Sequence, residues 1–222
     1  MIMKEKLNRE TIAMRIAKEI PNNSYVNLGI GIPTLVSQFT SPEQNIIFHS
    51  ENGVLNYGSL AEVGEEDPDL INAGGQFLKP TTGMSFFNSA DAFAMIRGGH
   101  IDISVLGALQ ISVKGDLANW MIPERGIGNI GGAMDLATGA KKLIVAMEHT
   151  DRNNNPKIVT KCSYPLTVPE CVDLIVTDLC VISVESQRLI VKEIAPGWNK
   201  DEIQNLTEAK LLFDNNITEI TL

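Results

Sequence analysis

Ser50-Glu51-Asn52-Gly53 follows the apolar run Ile46-Ile47-Phe48 and precedes Val54-Leu55, which puts a carboxylate, Glu51, at the mouth of a buried strand. A carboxylate can attack an acyl carbon and hold it covalently when the site is dry and donors await the developing oxyanion. Asn52-Gly53 is also a hairpin signal, because both residues tolerate positive φ, and a glutamate before such a turn can be merely solvated. These four residues alone leave both readings open, the turn being the commoner meaning of so short a motif.

Two glycine loops extend the chemistry. Gly29-Ile30-Gly31-Ile32-Pro33-Thr34 begins like a dinucleotide fingerprint, but Thr34 holds the sixth position and no acidic partner stands on a second strand end, which weighs against a nicotinamide cofactor. Glycines let backbone amides approach a ligand, and amides at a following helix start carry partial positive charge. Gly131-Gly132 before Ala133 repeats the device. A strand-end carboxylate with two donor-rich loops is the set of parts acyl transfer needs, although each glycine taken singly also reads as a tight turn. His49, His100 and His149 are too scattered for a metal site or a Ser-His-Asp order, and each reads as a core or surface histidine. Arg97, beside Gly98-Gly99-His100, either meets a phosphate or answers the dipole of its own helix end. Trp120 either packs on a ligand or belongs to the core.

These parts need elements to position them. Asn8 is an N-cap for a helix with Ile12, Ile16 and Ile20 inward, Arg9, Glu10, Arg15, Lys18 and Glu19 outward, and Pro21 as its stop. Residues 25–28 read as a strand, 34–39 as a helix, 46–49 as the strand that delivers Glu51, and 70–73 as a further strand. Asn88 or Ser89 caps a helix to Arg97. Residues 101–106, 108–113, 143–147 and 174–177 are apolar runs suited to strands buried on both faces. A short helix fits 133–138, strands fit 181–184 and 189–194, and a helix fits 207–213. Alternating apolar strands and helices imply an α/β fold around a mostly parallel sheet with flanking helices. With no repeat, low-complexity tract or linker, residues 1–222 read as a single domain.

Composition narrows the function. With 18 basic and 27 acidic residues and a net charge of -9, the surface repels nucleic acid and anionic membranes. Cys162, Cys171 and Cys180 are odd in number and lack a C-x-x-C pair, so they read as reduced, buried thiols rather than a disulfide framework or zinc site. The chain opens on a polar start and an amphipathic helix with no signal-peptide core, and no apolar run is long enough to span a bilayer. A soluble, cytoplasmic protein is expected.

Asn27-Leu28-Gly29-Ile30-Gly31-Ile32-Pro33, Ser50-Glu51-Asn52-Gly53, Ile96-Arg97-Gly98-Gly99-His100, Gly115-Asp116-Leu117-Ala118-Asn119-Trp120 and Gly131-Gly132-Ala133-Met134-Asp135-Leu136, in this order and spacing, resemble the β subunit of family I coenzyme A transferases. The resemblance implies their sugar-phosphate isomerase-like architecture and makes Glu51 the nucleophile that takes CoA as a glutamyl thioester. No permanent cofactor and no metal is implied, with coenzyme A as a substrate. It gives Asn27 to the substrate carboxylate, Gly31 to the glycine loop, Gly132 to the oxyanion hole, and Asn119, Gly131 and Gly75 to the CoA side. Many 3-oxoacid enzymes carry a lysine where Gly75 follows Asn72-Ala73-Gly74, which moves the likeness toward acetate or butyrate:acetoacetate transferases. The resemblance also implies an α subunit partner, with acyl-CoA and short-chain carboxylic acids as substrates. An acyl-CoA hydrolase on the same scaffold and a non-catalytic sugar-phosphate-binding regulatory module are the alternatives.

Overall fold

The computed structural model describes residues 4–126 and 128–222; the first three residues of the polar start and Ile127 lie outside them. Among the described residues five α-helices occur: α1 (Arg9–Ala17), α2 (Ile32–Leu35), α3 (Ser89–Arg97), α4 (Ala133–Gly139) and α5 (Lys200–Asn205). The strands are β1 (Tyr25–Leu28), β2 (Ile47–Ser50), β3 (Val54–Leu55), β4 (Ser85–Phe86), β5 (Ile103–Leu106), β6 (Gln110–Ser112), β7 (Leu117–Ala118), β8 (Lys142–Ala146), β9 (Ile158–Val159), β10 (Leu174–Val176), β11 (Cys180–Glu185), β12 (Arg188–Ile194) and β13 (Leu211–Glu219). Ten of them form one sheet in the order β13-β12-β11-β10-β8-β5-β1-β2-β3-β4, and β7-β6-β9 form a second. The centre, β10-β8-β5-β1-β2, is parallel throughout. This is the mostly parallel α/β sheet with flanking helices that the alternating pattern implies.

Both faces of that centre are covered. Along β8, Leu143 and Val145 pack with Ile96 of α3 and Leu136 of α4, whereas Ile144 and Ala146 pack with Ile12 and Ile16 of α1. Successive side chains of a strand point to opposite faces, so a strand covered on both sides must be apolar throughout, and the run 143–147 is. Helix α1 starts where the Asn8 side chain accepts a hydrogen bond from the Thr11 N–H at 2.8 Å. Arg15 departs from the outward orientation expected of it: it is 7% exposed, and its guanidinium grips Glu193 of β12 through Nε at 2.8 Å and Nη2 at 2.7 Å. A buried cation needs such a partner.

Four expected elements differ. The helix over 34–39 begins earlier, as α2, and continues as a 3₁₀ turn over Val36–Phe39. Residues 70–73 make only a single bridge, Ile71 to Phe77, and form no strand. Within 108–113 only Gln110–Ser112 is a strand, and it lies in the small sheet. The helix expected over 207–213 is absent. Instead Asn199 and Glu202 form a capping box that starts α5 earlier. Gln204 then closes the turn by donating to Ala209 O at 3.0 Å and accepting from Leu211 N at 2.9 Å, which launches β13 alongside β12. Sheet pairing overrides the helical propensity of Glu208, Ala209, Lys210 and Leu211.

Of the three thiols expected to be buried, Cys180 is and Cys162 and Cys171 are only half-buried. Burial nevertheless pushes each thiol up to about 12. Among the described residues no helix is long and apolar enough to cross a membrane.

Candidate active site

The hairpin expected at residues 50–53 is present, and Glu51 stands in its turn. Strands β2 and β3 pair antiparallel, Ser50 opposite Val54, and Glu51-Asn52-Gly53 form the connection. Gly53 has φ 108°, and a Cβ there would stand 1.9 Å from the Phe87 carbonyl oxygen, so the turn admits no side chain at that point. Glu51 is thereby fixed just past the carboxyl end of β2.

The sheet explains why this end matters. From β1 the chain moves to β2 on one side and later returns through α3 to β5 on the other, so β1 lies between strands reached in opposite directions. Open α/β sheets bind ligands outside the carboxyl ends of strands at such a switch point. A cleft of about 370 Å³ lies there, lined by Gly29 and Ile30 after β1, Glu51 after β2, Gly107 after β5, and Asn119, Gly131 and Gly132. A larger cavity, about 620 Å³, is bordered by Tyr25, Asp102 and Lys141 at the amino ends of β1, β5 and β8 and by His49 and Leu55 on its other side. Glu51 does not reach it.

Asn27 lies directly beneath Glu51. It is fully buried in β1, and its Nδ2 donates to Glu51 Oε2 at 3.2 Å, to the His49 carbonyl at 3.1 Å and to His49 Nδ1 at 3.1 Å. The resemblance assigns this amide to the substrate carboxylate; in the structure it is committed to Glu51 and His49. His49 is also fully buried, and burial holds its imidazole below the ordinary value against the opposing pull of the Glu51 charge. Burial, with the Glu51 charge adding to it, raises the phenol of nearby Tyr57.

Gly132 faces the glutamate from the other wall. A Cβ at Gly132 would stand 3.5 Å from Glu51 Cγ, and 3.1 Å from Phe93 Cζ. Its N–H has no acceptor among the described residues, whereas the Gly131 N–H donates to Asn129 Oδ1 at 3.0 Å. Asn119 is held by the scaffold: its Nδ2 donates to Gly107 O at 3.2 Å, and its Oδ1 accepts from Thr167 Oγ1 at 2.7 Å.

The cleft therefore gathers Glu51, Asn119, Gly131 and Gly132, with Asn27 under its floor. Gly31 lies outside it, beside Thr34 and Gly74 in a neighbouring groove. Gly75 also lies outside, exposed in the turn 72–76. That turn is tied to the hairpin, since Ala73 N donates to Ser50 Oγ at 2.9 Å. Arg97 bonds Asp135 of α4 at 2.6 Å, and Trp120 is half-buried with Nε1 donating to Leu166 O at 3.3 Å. Sequence reasoning missed Phe93 and the part His49 plays beside Glu51. The signal for His49 was its place on the strand, two residues before Glu51. Among the described residues no cluster of three or more His, Cys, Asp or Glu is placed to hold a metal ion.

A mostly parallel sheet with a strand-end glutamate in a glycine-lined cleft is a frame for acyl transfer. The sequence pattern described as Coenzyme A transferase matches residues 9–206, and the chain belongs to that family. It is 49% identical over 209 residues to the B subunit of 3-oxoadipate CoA-transferase from Acinetobacter baylyi, covering 93% of this chain and 96% of that one. It is also 49% identical over 202 residues to the B subunit of succinyl-CoA:3-ketoacid coenzyme A transferase from Helicobacter pylori, covering 91% of this chain and 97% of that one. Among solved structures, the acyl-CoA transferase apoenzyme of Escherichia coli O157:H7 has the same fold, with a TM-score of 0.78 at 17% identity. That alignment covers 100% of this chain and 45% of the other, so the chain spans about half its length.

Proposed function

We propose that this chain is the β subunit of a CoA-transferase in which Glu51 carries CoA between short-chain acids. The reading rests on one observation: a glutamate at the switch-point cleft, with Asn27 Nδ2 donating to Oε2 at 3.2 Å and Gly132 so near that a Cβ there would stand 3.5 Å from Glu51 Cγ.

That geometry supports a two-step exchange on Glu51. With Oε2 held by Asn27, Oε1 is free to attack the thioester carbonyl carbon; the C–S bond breaks, CoA leaves as thiolate, and an acyl-glutamyl anhydride remains. The thiolate then attacks Cδ of Glu51, the first acid departs as carboxylate, and a glutamyl-CoA thioester forms. In this second step charge develops on an oxygen of Glu51 itself, where the Asn27 amide already donates. A second carboxylate reverses both steps and leaves with CoA. The Gly132 N–H serves the oxyanion on the acyl side, and Asn119 and Gly131 border the path of the CoA. A carboxylate is a weak nucleophile, so exclusion of water and binding energy from the remote CoA moiety must supply the driving force.

That both relatives are B subunits supports a separate α subunit as partner, and their 3-oxoadipate and 3-ketoacid designations support a 3-oxo acid such as acetoacetate as one substrate, with acetate and butyrate the candidates for the other. Gly75, where many 3-oxoacid enzymes carry a lysine, favours the acetate or butyrate:acetoacetate type. The net charge of -9 fits neither nucleic acid nor an anionic membrane as partner, and three free thiols fit a reducing, cytoplasmic setting. The chain acts as one domain on this reading. The test is CoA exchange between acetoacetyl-CoA and acetate, butyrate or succinate, measured with and without the α chain. Thioester loss with no acceptor acid present would favour a hydrolase, and full exchange by the lone chain would remove the α requirement.

A further inference from the structure

We propose that His49 is a positioning residue for the exchange reaction, its imidazole fixing the Asn27 amide with the N–H edge toward Glu51. The inference rests on the role given to Glu51 above.

An asparagine side chain can present either end to a neighbour, and only the nitrogen end can donate to a carboxylate. At Asn27 the nitrogen end meets three acceptors: Glu51 Oε2 at 3.2 Å, His49 O at 3.1 Å and His49 Nδ1 at 3.1 Å. Two hydrogens serve them. Since two of the acceptors belong to His49, one N–H is shared between its carbonyl and its ring, and the other is left for Glu51. Among the described residues the oxygen end has no partner: Asn27 Oδ1 is buried and unbonded, as is Ser104 Oγ beside it on the neighbouring strand β5. An amide that leaves its buried oxygen unpaired while its nitrogen is crowded with acceptors is not oriented by its own satisfaction. It is oriented by what surrounds the nitrogen, and His49 supplies most of that.

The arrangement specifies the state of the ring. Nδ1 must offer a lone pair to Asn27, so the proton of the neutral imidazole resides on Nε2. A proton on Nδ1 would set N–H against N–H and turn the amide away from Glu51. The surroundings keep the ring neutral: it is fully buried, stacked at 6.3 Å on Phe87, and shifted by burial below its ordinary pKa. His49 lies in β2 and Glu51 two residues on, just past its end, so one short segment carries both the proposed reacting group and the residue that orders its donor.

His49→Leu and His49→Asn test this in the complex with the α chain. Leucine removes the ring acceptor; asparagine restores an oxygen as many bonds from Cα as Nδ1. His49→Leu should lower kcat for exchange about tenfold to hundredfold with KM for acyl-CoA unchanged, and His49→Asn should regain most of that loss although both variants lose similar thermal stability. Equal kcat for the two variants, or a kcat within about threefold of wild type for His49→Leu, would overturn the proposal. If neither variant folds, the ¹⁵N spectrum of the wild-type imidazole decides, because a protonated Nδ1 is incompatible with it. Glu51→Gln assayed in parallel keeps the two readings apart. Exchange surviving in Glu51→Gln removes the role of Glu51, whereas exchange lost there but kept in His49→Leu removes the role of His49 alone.

Discussion

A methyl group on Gly132 would stand 3.5 Å from Glu51 Cγ and 3.1 Å from Phe93 Cζ. The backbone at Gly132, with φ -85° and ψ 5°, accepts alanine without strain, so that substitution acts through crowding alone. Gly132→Ala should leave the melting temperature nearly unchanged and lower kcat/KM for CoA exchange about tenfold or more. Steady-state kinetics beside a thermal melt check this, and unaltered kinetics would separate Gly132 from the reacting atoms.

Glu51 occupies a turn and is half-buried, so its replacement by an isosteric amide spares the fold. Glu51→Gln should cut exchange by at least ~10³-fold while circular dichroism and melting stay as in wild type. In the wild type, acyl-CoA followed by borohydride or hydroxylamine should modify Glu51. A peptide map that finds the label elsewhere defeats the mechanism.

Asn27→Asp changes no volume but replaces a donor with an acceptor carrying charge. The new carboxylate would face Glu51 Oε2 at the present amide distance of 3.2 Å, where two like charges cannot both ionise readily. Exchange at neutral pH should fall about 10²-fold or more. Recovery of part of that activity in Asn27→Ala, which removes the charge but not the missing donor, separates repulsion from lost donation.

His149 sets an acid limit on stability. Its ring nitrogens meet Thr177 Oγ1 at 3.0 Å and Thr207 Oγ1 at 2.8 Å, and burial lowers its pKa to about 3. The unfolded chain takes up the proton near the ordinary imidazole value of about 6.5, so stability is complete above that pH and declines as pH falls toward about 3. By pH 5 the loss is about 2 kcal/mol from this residue. Urea unfolding at pH 7 and pH 5 should show the decline in wild type and a shallower one in His149→Gln; parallel slopes would refute it.

The centre of the sheet was legible because burial on both faces forces continuous apolar runs, as at 143–147 and 174–177. The caps of α1 and α3 were legible because Asn8 and Asn88 hydrogen-bond locally to Thr11 N and Asp91 N. The tail was not. Residues 207–213 have helical composition, and what makes Leu211–Glu219 a strand is the edge of β12, which lies outside any local window. Arg15 was misread for a similar reason, its partner Glu193 being 178 positions away. At the site, the glycine loops and Glu51 stood out by residue type. The contact from Asn27 to Glu51 depends on the parallel register that sets Asn27 against His49, which no local pattern encodes.

The three cysteines acquire a meaning from the proposed chemistry. A thiol pushed up to about 12 is ionised at neutral pH to about one part in 10⁵, and only the ionised form captures acyl groups or exchanges with disulfides. On the proposed mechanism, whose currency is a sulfur anion, Cys162, Cys171 and Cys180 would be held back as neutral thiols, and the subunit's own sulfur would not siphon acyl cargo from the carrier.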